Sequence, residues 1–256
     1  MTGERQDRHR LLGRVAVVTG ASSGLGSHAA VGLAEEGADI VIVARRAVRL
    51  KETQLRILDI GRRCIVVQGD VADPETGTRA VGQALDTFGH VDVLINNAGI
   101  GSAVPATTEA PEEFRRVVDV NLAGSYWMAQ ACGRVMSPGS AIVNVSSVLG
   151  LTTAGLPQAA YASSKAGVLG LTRDLAAQWT GRKGIRVNAI APGYFLSEMT
   201  EQLKDGYLED LAARRIPAGR LGRPEEFVAA VVFLASDESS YVSGAVLPVD
   251  GGLLVT

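Results

Sequence analysis

Residues Val15 to Val18 read VAVV and run without a break into TGASSGLG at Thr19 to Gly26, then into the helix-patterned SHAAVGLAEEG. A short run that is apolar throughout is the mark of a strand buried on both faces, as in a parallel sheet covered by helices. A glycine turn between such a strand and a helix lets backbone amides approach an anion at the positive end of the helix. The glycines, Gly20, Gly24 and Gly26, are spaced G-x-x-x-G-x-G. A turn of this kind can be purely structural. Its position between strand and helix favours binding of a nucleotide phosphate, with Gly20, Ser22, Ser23, Gly24, Leu25 and Gly26 as the contacting positions.

A second strand, IVIVA (Ile40 to Ala44), follows at the distance expected for a β-α-β unit. Where an NAD site places an acid for the ribose hydroxyls, this chain has Arg45 and Arg46. No carboxylate there repels a 2′-phosphate, and a guanidinium can grip one through paired hydrogen bonds. Two arginines on a solvated helix start are the alternative. The alternation continues with a helix from about Ala47 to Ile60, strand CIVVQ, Asp70 and Val71 placed to flank an adenine, and a helix from Pro74 to Phe88. Asp70 serves equally well as a helix-starting residue. Strand VDVLI then runs into NNAG at Asn96 to Gly99, which adds Asn97, Ala98 and Gly99 to the cofactor set. A helix over about Glu112 to Met136 carries Asn121, whose poor mid-helix propensity means that it faces solvent or bonds backbone and water.

The apolar run AIVNVS ends at Ser147, which puts that hydroxyl at the carboxyl edge of a sheet, where open α/β folds hold their ligands. Tyr161 and Lys165 are four apart in an Ala-rich segment, so both project from one helical face. A phenol beside an ammonium is a proton-transfer pair, the cation favouring phenolate and lowering the Tyr pKa. The helix runs to about Thr180, and strand IRVNAI leads to APGY at Ala191 to Tyr194. Residues 196 to 217 break the rhythm with apolar side chains among charges, as in a small helical lid. Arg214, Arg215, Arg220 and Arg223 read as solvated surface. A helix from Pro224 to Ala235 and a strand in AVLPVDGG close the chain.

Composition excludes other classes. Hydrophobic content of 46% with a net charge of −2 describes a globular protein without bias toward nucleic acid or anionic membrane. No apolar run approaches the roughly 18 residues of a bilayer span. MTGERQDRHR has no signal core and reads as a mobile tail over residues 1–10, so a cytoplasmic protein with one domain over 11–256 is expected. Cys64 and Cys132 read as reduced packing residues, and scattered His9, His28 and His90 argue against a metal site.

TGASSGLG, GDV, NNAG, the helical Asn121, Ser147, YASSK, Pro192 with Gly193, and the terminal VDGG occur in order. The chain thereby resembles the classical short-chain dehydrogenase/reductase family over Leu11 to Gly252. The resemblance implies an α/β Rossmann domain with a doubly wound, seven-stranded parallel sheet and helices on both faces. It implies hydride transfer between a nicotinamide and a small carbonyl or secondary alcohol, with Tyr161 as acid/base and Lys165 on the nicotinamide ribose. Ser147 would hold the substrate oxygen and Asn121 would order a water that relays protons to Lys165. Ser197 would replace a family threonine that meets the carboxamide. Arg45 at a position that is basic in NADP-preferring members implies NADP(H) over NAD, and a homotetramer is implied as well. APGYFLSEMT and RIPAGRLGRPEE look like the gluconate 5-dehydrogenase branch, whereas the apolar loop Val148 to Pro157 suits a hydrophobic ketone. A 3-oxoacyl-carrier-protein reductase has Arg182 in its favour and Pro138 against it. A dinucleotide-binding scaffold without turnover would be expected to lose the Tyr or Lys that this chain keeps.

Overall fold

β1 (Val15–Thr19) is buried along its whole length and lies between β2 (Asp39–Ala44) and β4 (Val93–Asn96), parallel to both. In the computed structural model, which describes residues 9–101, 103–196 and 206–256, this trio is the middle of a seven-stranded sheet. The order is β3-β2-β1-β4-β5-β6-β7, with β3 Cys64–Gln68, β5 Ala141–Val145, β6 Arg186–Pro192 and β7 Val246–Val249, and every pairing is parallel. The chain leaves β1 toward β3 and returns to β4 on the other side. That reversal opens a crevice at the carboxyl ends of β1 and β4, the expected ligand position of a doubly wound sheet.

Strand alternation divides the core into two layers. Ala16, Val18, Ile40, Ile42 and Ile95 face one way and pack with α1 (Gly24–Glu35), α2 (Ala47–Asp59) and α8 (Pro224–Ala235). Val15, Val17, Val41, Leu94 and Ile142 face the other way, toward α3 (Pro74–Phe88), α5 (Gly124–Val135) and α6 (Ala159–Lys183). Gly32 of α1 has to be small, because a Cβ there would collide with Val228 of α8.

The predicted helix over Glu112 to Met136 is one rod with a defect. α4 (Pro111–Val118) continues through a π-helical turn at Asp119–Ala123 into α5. Such turns re-aim side chains at functional sites, and this one carries Asn121. α6 extends past Thr180 to Lys183 and ends at left-handed Gly184. The last strand stops at Val249, before the positive-φ pair Gly251 and Gly252.

Of the lid, α7 (Tyr207–Arg215) is present, while residues 197–205 lie outside the described residues. Tyr194, Leu211, Ala212, Ile216 and Leu253 form a small third core with Val148 that packs α7 over the sheet edge. Residues 1–8 of the expected tail also lie outside the described residues. Arg10, at its end, is held by Glu36 and Glu238. No helix of the described residues is long and apolar enough to cross a membrane.

Candidate active site

Two loops meet in the crevice because Thr19 and Asn97 lace them together. Thr19 Oγ1 accepts the Asn97 and Ala98 amides, both at 3.0 Å, and Asn97 Nδ2 donates to the Thr19 carbonyl at 3.1 Å. The approach is so close that a Cβ on Gly20 would lie 2.8 Å from Ala98 Cα, and one on Gly26 would overlap Asn97 Nδ2 and the Gly20 carbonyl. Gly20 also has φ 66°, a left-handed backbone that suits glycine. No side chain caps α1 at Ser23. The N-terminal amides of α1 therefore offer the donors that a pyrophosphate accepts.

Ser22 to Gly26 and Gly20 line a cleft of about 680 Å³ that runs across the carboxyl ends of the strands. Arg45, Arg46, Asp70, Val71, Asn97, Ala98, Gly99, Pro192 and Gly193 line it as well, together with Ser147, Tyr161 and Lys165. Of the residues expected at the site, Asn121 does not line the cleft and Ser197 lies outside the described residues.

The basic end is organised around the glycine loop. Arg46 donates to Ser23 Oγ at 2.6 Å and to Ser22 Oγ at 3.2 Å, so it closes over that loop from the start of α2. Arg45 Nη1 stands 3.6 Å from Asp70 Oδ2, an exposed pair, and Asp70 Oδ1 accepts the Ala72 amide. Arg116 of α4 also lines the cleft, within electrostatic reach of Asp70, and is paired with Glu113 at 2.7 Å. It was absent from the sequence-based set because nothing in EEFRRVV separates it from Arg115.

At the other end β5 leads to Ser147 in extended backbone, where its Oγ accepts the Leu149 amide at 3.1 Å and its hydroxyl hydrogen-bonds the Tyr161 side chain. α6 delivers Tyr161 and Lys165. Lys165 is 4% exposed, its Nζ donates to the Val145 carbonyl at 2.8 Å, and it sits 5.7 Å from the Tyr161 ring centroid. Ser146 Oγ donates to the Lys165 carbonyl at 2.7 Å and fixes this turn of α6 to β5.

One expectation is corrected here. The Tyr161 pKa is raised, not lowered: burial disfavours the phenolate, and the neighbouring Ser147 hydroxyl opposes it without prevailing. Burial also disfavours charge on Lys165, whose pKa falls from 10.5 to about 8. Burial thus governs both groups.

Asn121 is fully buried, so the solvent-facing option is excluded. Its Oδ1 accepts the Ile100 amide at 2.8 Å, while Nδ2 donates to the Ile100 carbonyl at 2.9 Å and to Ser164 Oγ at 3.0 Å. The side chain thus ties the loop that runs on from NNAG to the helix of Tyr161. A Cβ on Gly99 would stand 3.3 Å from both Asn121 Oδ1 and Lys165 Nζ, so these groups converge behind the cleft floor. Deeper still, Asn96 Nδ2 donates to Asn144 Oδ1 and Asn144 Nδ2 to Thr172 Oγ1, each at 2.9 Å. This buried ladder was missed although two asparagines in otherwise apolar strands are a signal, since buried amides need partners.

A family model described as enoyl-(acyl carrier protein) reductase, one of the short-chain dehydrogenase/reductase models, matches residues 20–254. The chain is a short-chain dehydrogenase/reductase. L-rhamnose 1-dehydrogenase (NAD(P)(+)) of Sphingomonas sp. (strain SKA58) is 41% identical over 250 residues, 96% of this chain and 98% of that protein. Gluconate 5-dehydrogenase of Gluconobacter oxydans (strain 621H) is 39% identical over 254 residues, covering 98% of each. Among solved structures, a putative NAD(P)-dependent gluconate 5-dehydrogenase from Beutenbergia cavernae, with bound NADP at low occupancy, superposes with a TM-score of 0.90 at 42% identity. That match covers 97% of this chain and 100% of the other. This short-chain dehydrogenase/reductase is accordingly an oxidoreductase of a family with NAD(P)-dependent relatives, and its seven-stranded parallel sheet is the expected Rossmann architecture.

Proposed function

We propose that the protein is an NADP(H)-preferring oxidoreductase that interconverts a small carbonyl compound and the corresponding secondary alcohol, with Tyr161 as its acid/base. The observation that carries this reading is the convergence of Ser147, Tyr161 and Lys165 in one cleft with a glycine cradle at its other end. The cradle fits a dinucleotide: uncapped α1 amides suit a pyrophosphate, and the absent Cβ atoms of Gly20 and Gly26 allow close approach. Arg46, supported by Arg45 and Arg116, supplies positive charge for a 2′-phosphate.

The nicotinamide supplies or accepts the hydride when bound. In reduction, Tyr161 gives its proton to the carbonyl oxygen as negative charge develops there. Ser147, whose oxygen already accepts the Leu149 amide, donates its own proton in a hydrogen bond to the same oxygen. The upward shift of the Tyr161 pKa keeps the phenol protonated at neutral pH, the form that reduction needs. Lys165 stabilises the phenolate left behind. Asn121 acts at one remove, by holding Ile100 and Ser164 and so the spacing between the NNAG segment and α6.

The test is cofactor oxidation by the purified protein with NADPH and NADH in parallel, against neutral ketones, keto-acids and a short 3-oxoacyl thioester. Preference for NADPH by about tenfold or more is expected from one charge-assisted phosphate contact. Preference for NADH would overturn the cofactor assignment, and full turnover by Tyr161→Phe would overturn the acid/base assignment. A cytoplasmic homotetramer is the companion reading, resting on the family resemblance, and mass photometry of the purified protein tests the oligomer.

A further inference from the structure

The glycine turn is held from behind by α2. Thr53 is 3% exposed, and its Oγ1 donates to the Ala21 carbonyl at 2.9 Å. Ser27 Oγ lies 2.9 Å from the same Thr53 oxygen, and Arg56 Nη1 lies 3.2 Å from Ser27 Oγ. Chemistry fixes the direction of this series. A guanidinium only donates and a carbonyl only accepts, so the Thr53 proton goes to Ala21, the Ser27 proton goes to Thr53, and Arg56 donates to Ser27. Four groups thus run as consecutive donors from exposed Arg56 inward to the turn, and each buried hydroxyl among them both donates and accepts. A series satisfied in this way strengthens its members and rigidifies what it touches.

The series ends on the peptide that joins Ala21 to Ser22. In a planar trans peptide the N–H points opposite to the C=O. With the Ala21 carbonyl turned inward to Thr53, the Ser22 amide is turned outward, to the side of the cleft that Ser22 lines. Arg46, the N-cap residue of α2, reaches the same serine, its guanidinium donating to Ser22 Oγ at 3.2 Å. Thr53 follows Arg46 by seven residues, two turns along one helix. α2 therefore holds Ser22 twice, at its hydroxyl and through the peptide before it. A backbone N–H and a guanidinium are thereby gathered at one end of the cleft, the pair of donors that a phosphate accepts.

We infer that Thr53 is a positioning residue for cofactor selection: by holding the Ala21 carbonyl it aims the Ser22 amide at the 2′-phosphate that Arg46 receives. Ser27 and Arg56 keep the Thr53 hydroxyl pointed that way. Thr53 itself touches neither cofactor nor substrate and acts only through the Ala21–Ser22 peptide. A dinucleotide without the 2′-phosphate gains little from a donor aimed there, so the effect separates NADPH from NADH. The inference rests on the NADP(H) reading given above.

The experiment is fluorescence titration of wild type, Thr53→Val, Thr53→Ser and Ser27→Ala with NADPH and with NADH. Thr53→Val keeps the shape and removes the hydroxyl, and it is expected to weaken NADPH about tenfold while NADH stays within about twofold, the loss of one charge-assisted hydrogen bond. Thr53→Ser restores the donor and is expected to bind both cofactors within about twofold of wild type. Ser27→Ala leaves the last bond in place and is expected to weaken NADPH about two- to threefold. In an Arg46→Ala background, Thr53→Val is expected to weaken NADPH severalfold further, because the amide and the guanidinium are separate donors. Equal losses with both cofactors would show a role in loop structure alone and overturn the inference. So would unaltered NADPH affinity in Thr53→Val, or in Ser27→Ala should Thr53→Val not fold, or the absence of any further loss in the Arg46→Ala background. Wild type that binds NADH as tightly as NADPH overturns the NADP(H) reading itself, and the inference with it.

Discussion

Replacing Lys165 by methionine should make the protein more stable and inactive at the same time. The lysine is 4% exposed, and burial alone takes its pKa from 10.5 to about 8. That difference corresponds to roughly 3 kcal/mol by which the fold disfavours the charged form at pH 7. Methionine fills a similar volume without charge but leaves the Val145 carbonyl without the Lys165 Nζ donor, which costs about 1–2 kcal/mol. The net gain is about 1–2 kcal/mol, equivalent to a rise in Tm of roughly 2–8 °C for a chain of this size. The sign of its pH dependence follows from the depressed pKa. Below pH 8 both the folded and unfolded wild type carry the charge, and the cost of burying it is fully present. As pH rises from about 8 toward 10.5 the folded protein gives up its proton before the unfolded chain does, so wild-type stability climbs relative to the variant and the gap closes. Thermal melts of cofactor-free wild type and Lys165→Met at pH 7 and pH 9.5 measure this directly. A variant less stable than wild type at pH 7, or a gap that does not shrink at the higher pH, would refute the argument that desolvation governs this lysine.

Other perturbations separate the two ends of the cleft. Arg46→Ala should raise KM for NADPH about 10- to 100-fold while leaving NADH within about twofold, the size of a charge-assisted contact to phosphate, and equal losses with both cofactors would place Arg46 in loop structure instead. Gly26→Ala pushes a Cβ into Asn97 Nδ2 and the Gly20 carbonyl, so it should cost about 1–3 kcal/mol by thermal melt and weaken cofactor binding in titration. Because the Tyr161 phenol is held above its ordinary pKa, alcohol oxidation, which needs phenolate, should still be accelerating as pH rises from 7 to 10, while carbonyl reduction, which uses the phenol, should stay level over the same range. A Tyr161→Phe variant should lose both activities yet bind NADPH with nearly unchanged affinity.

Local pattern alone was enough for the strand, glycine turn and helix around Gly20 to Gly26, and for Tyr161 with Lys165 on one face of α6. In both cases the informative spacing lies within a few residues, where backbone geometry converts sequence separation into distance. Seven apolar strands in βα alternation and their carboxyl-edge residues were legible for the same reason. Tertiary structure decided what depends on contacts between distant segments. Thr19 meets Asn97 across 78 residues, and Asn96 meets Asn144 across 48. Asn121 is buried because a π-helical turn brings it against Ile100 and Ser164, which helix propensity could not foretell. The direction of the Tyr161 shift was misread from sequence because adjacency announces a charge, whereas desolvation depends on everything that packs around it. Sequence by itself determined which chemical groups this protein carries and along which sheet edge they lie; only the packed fold decided how dry they are and which partners they keep, because burial sums over residues that have no order in the chain.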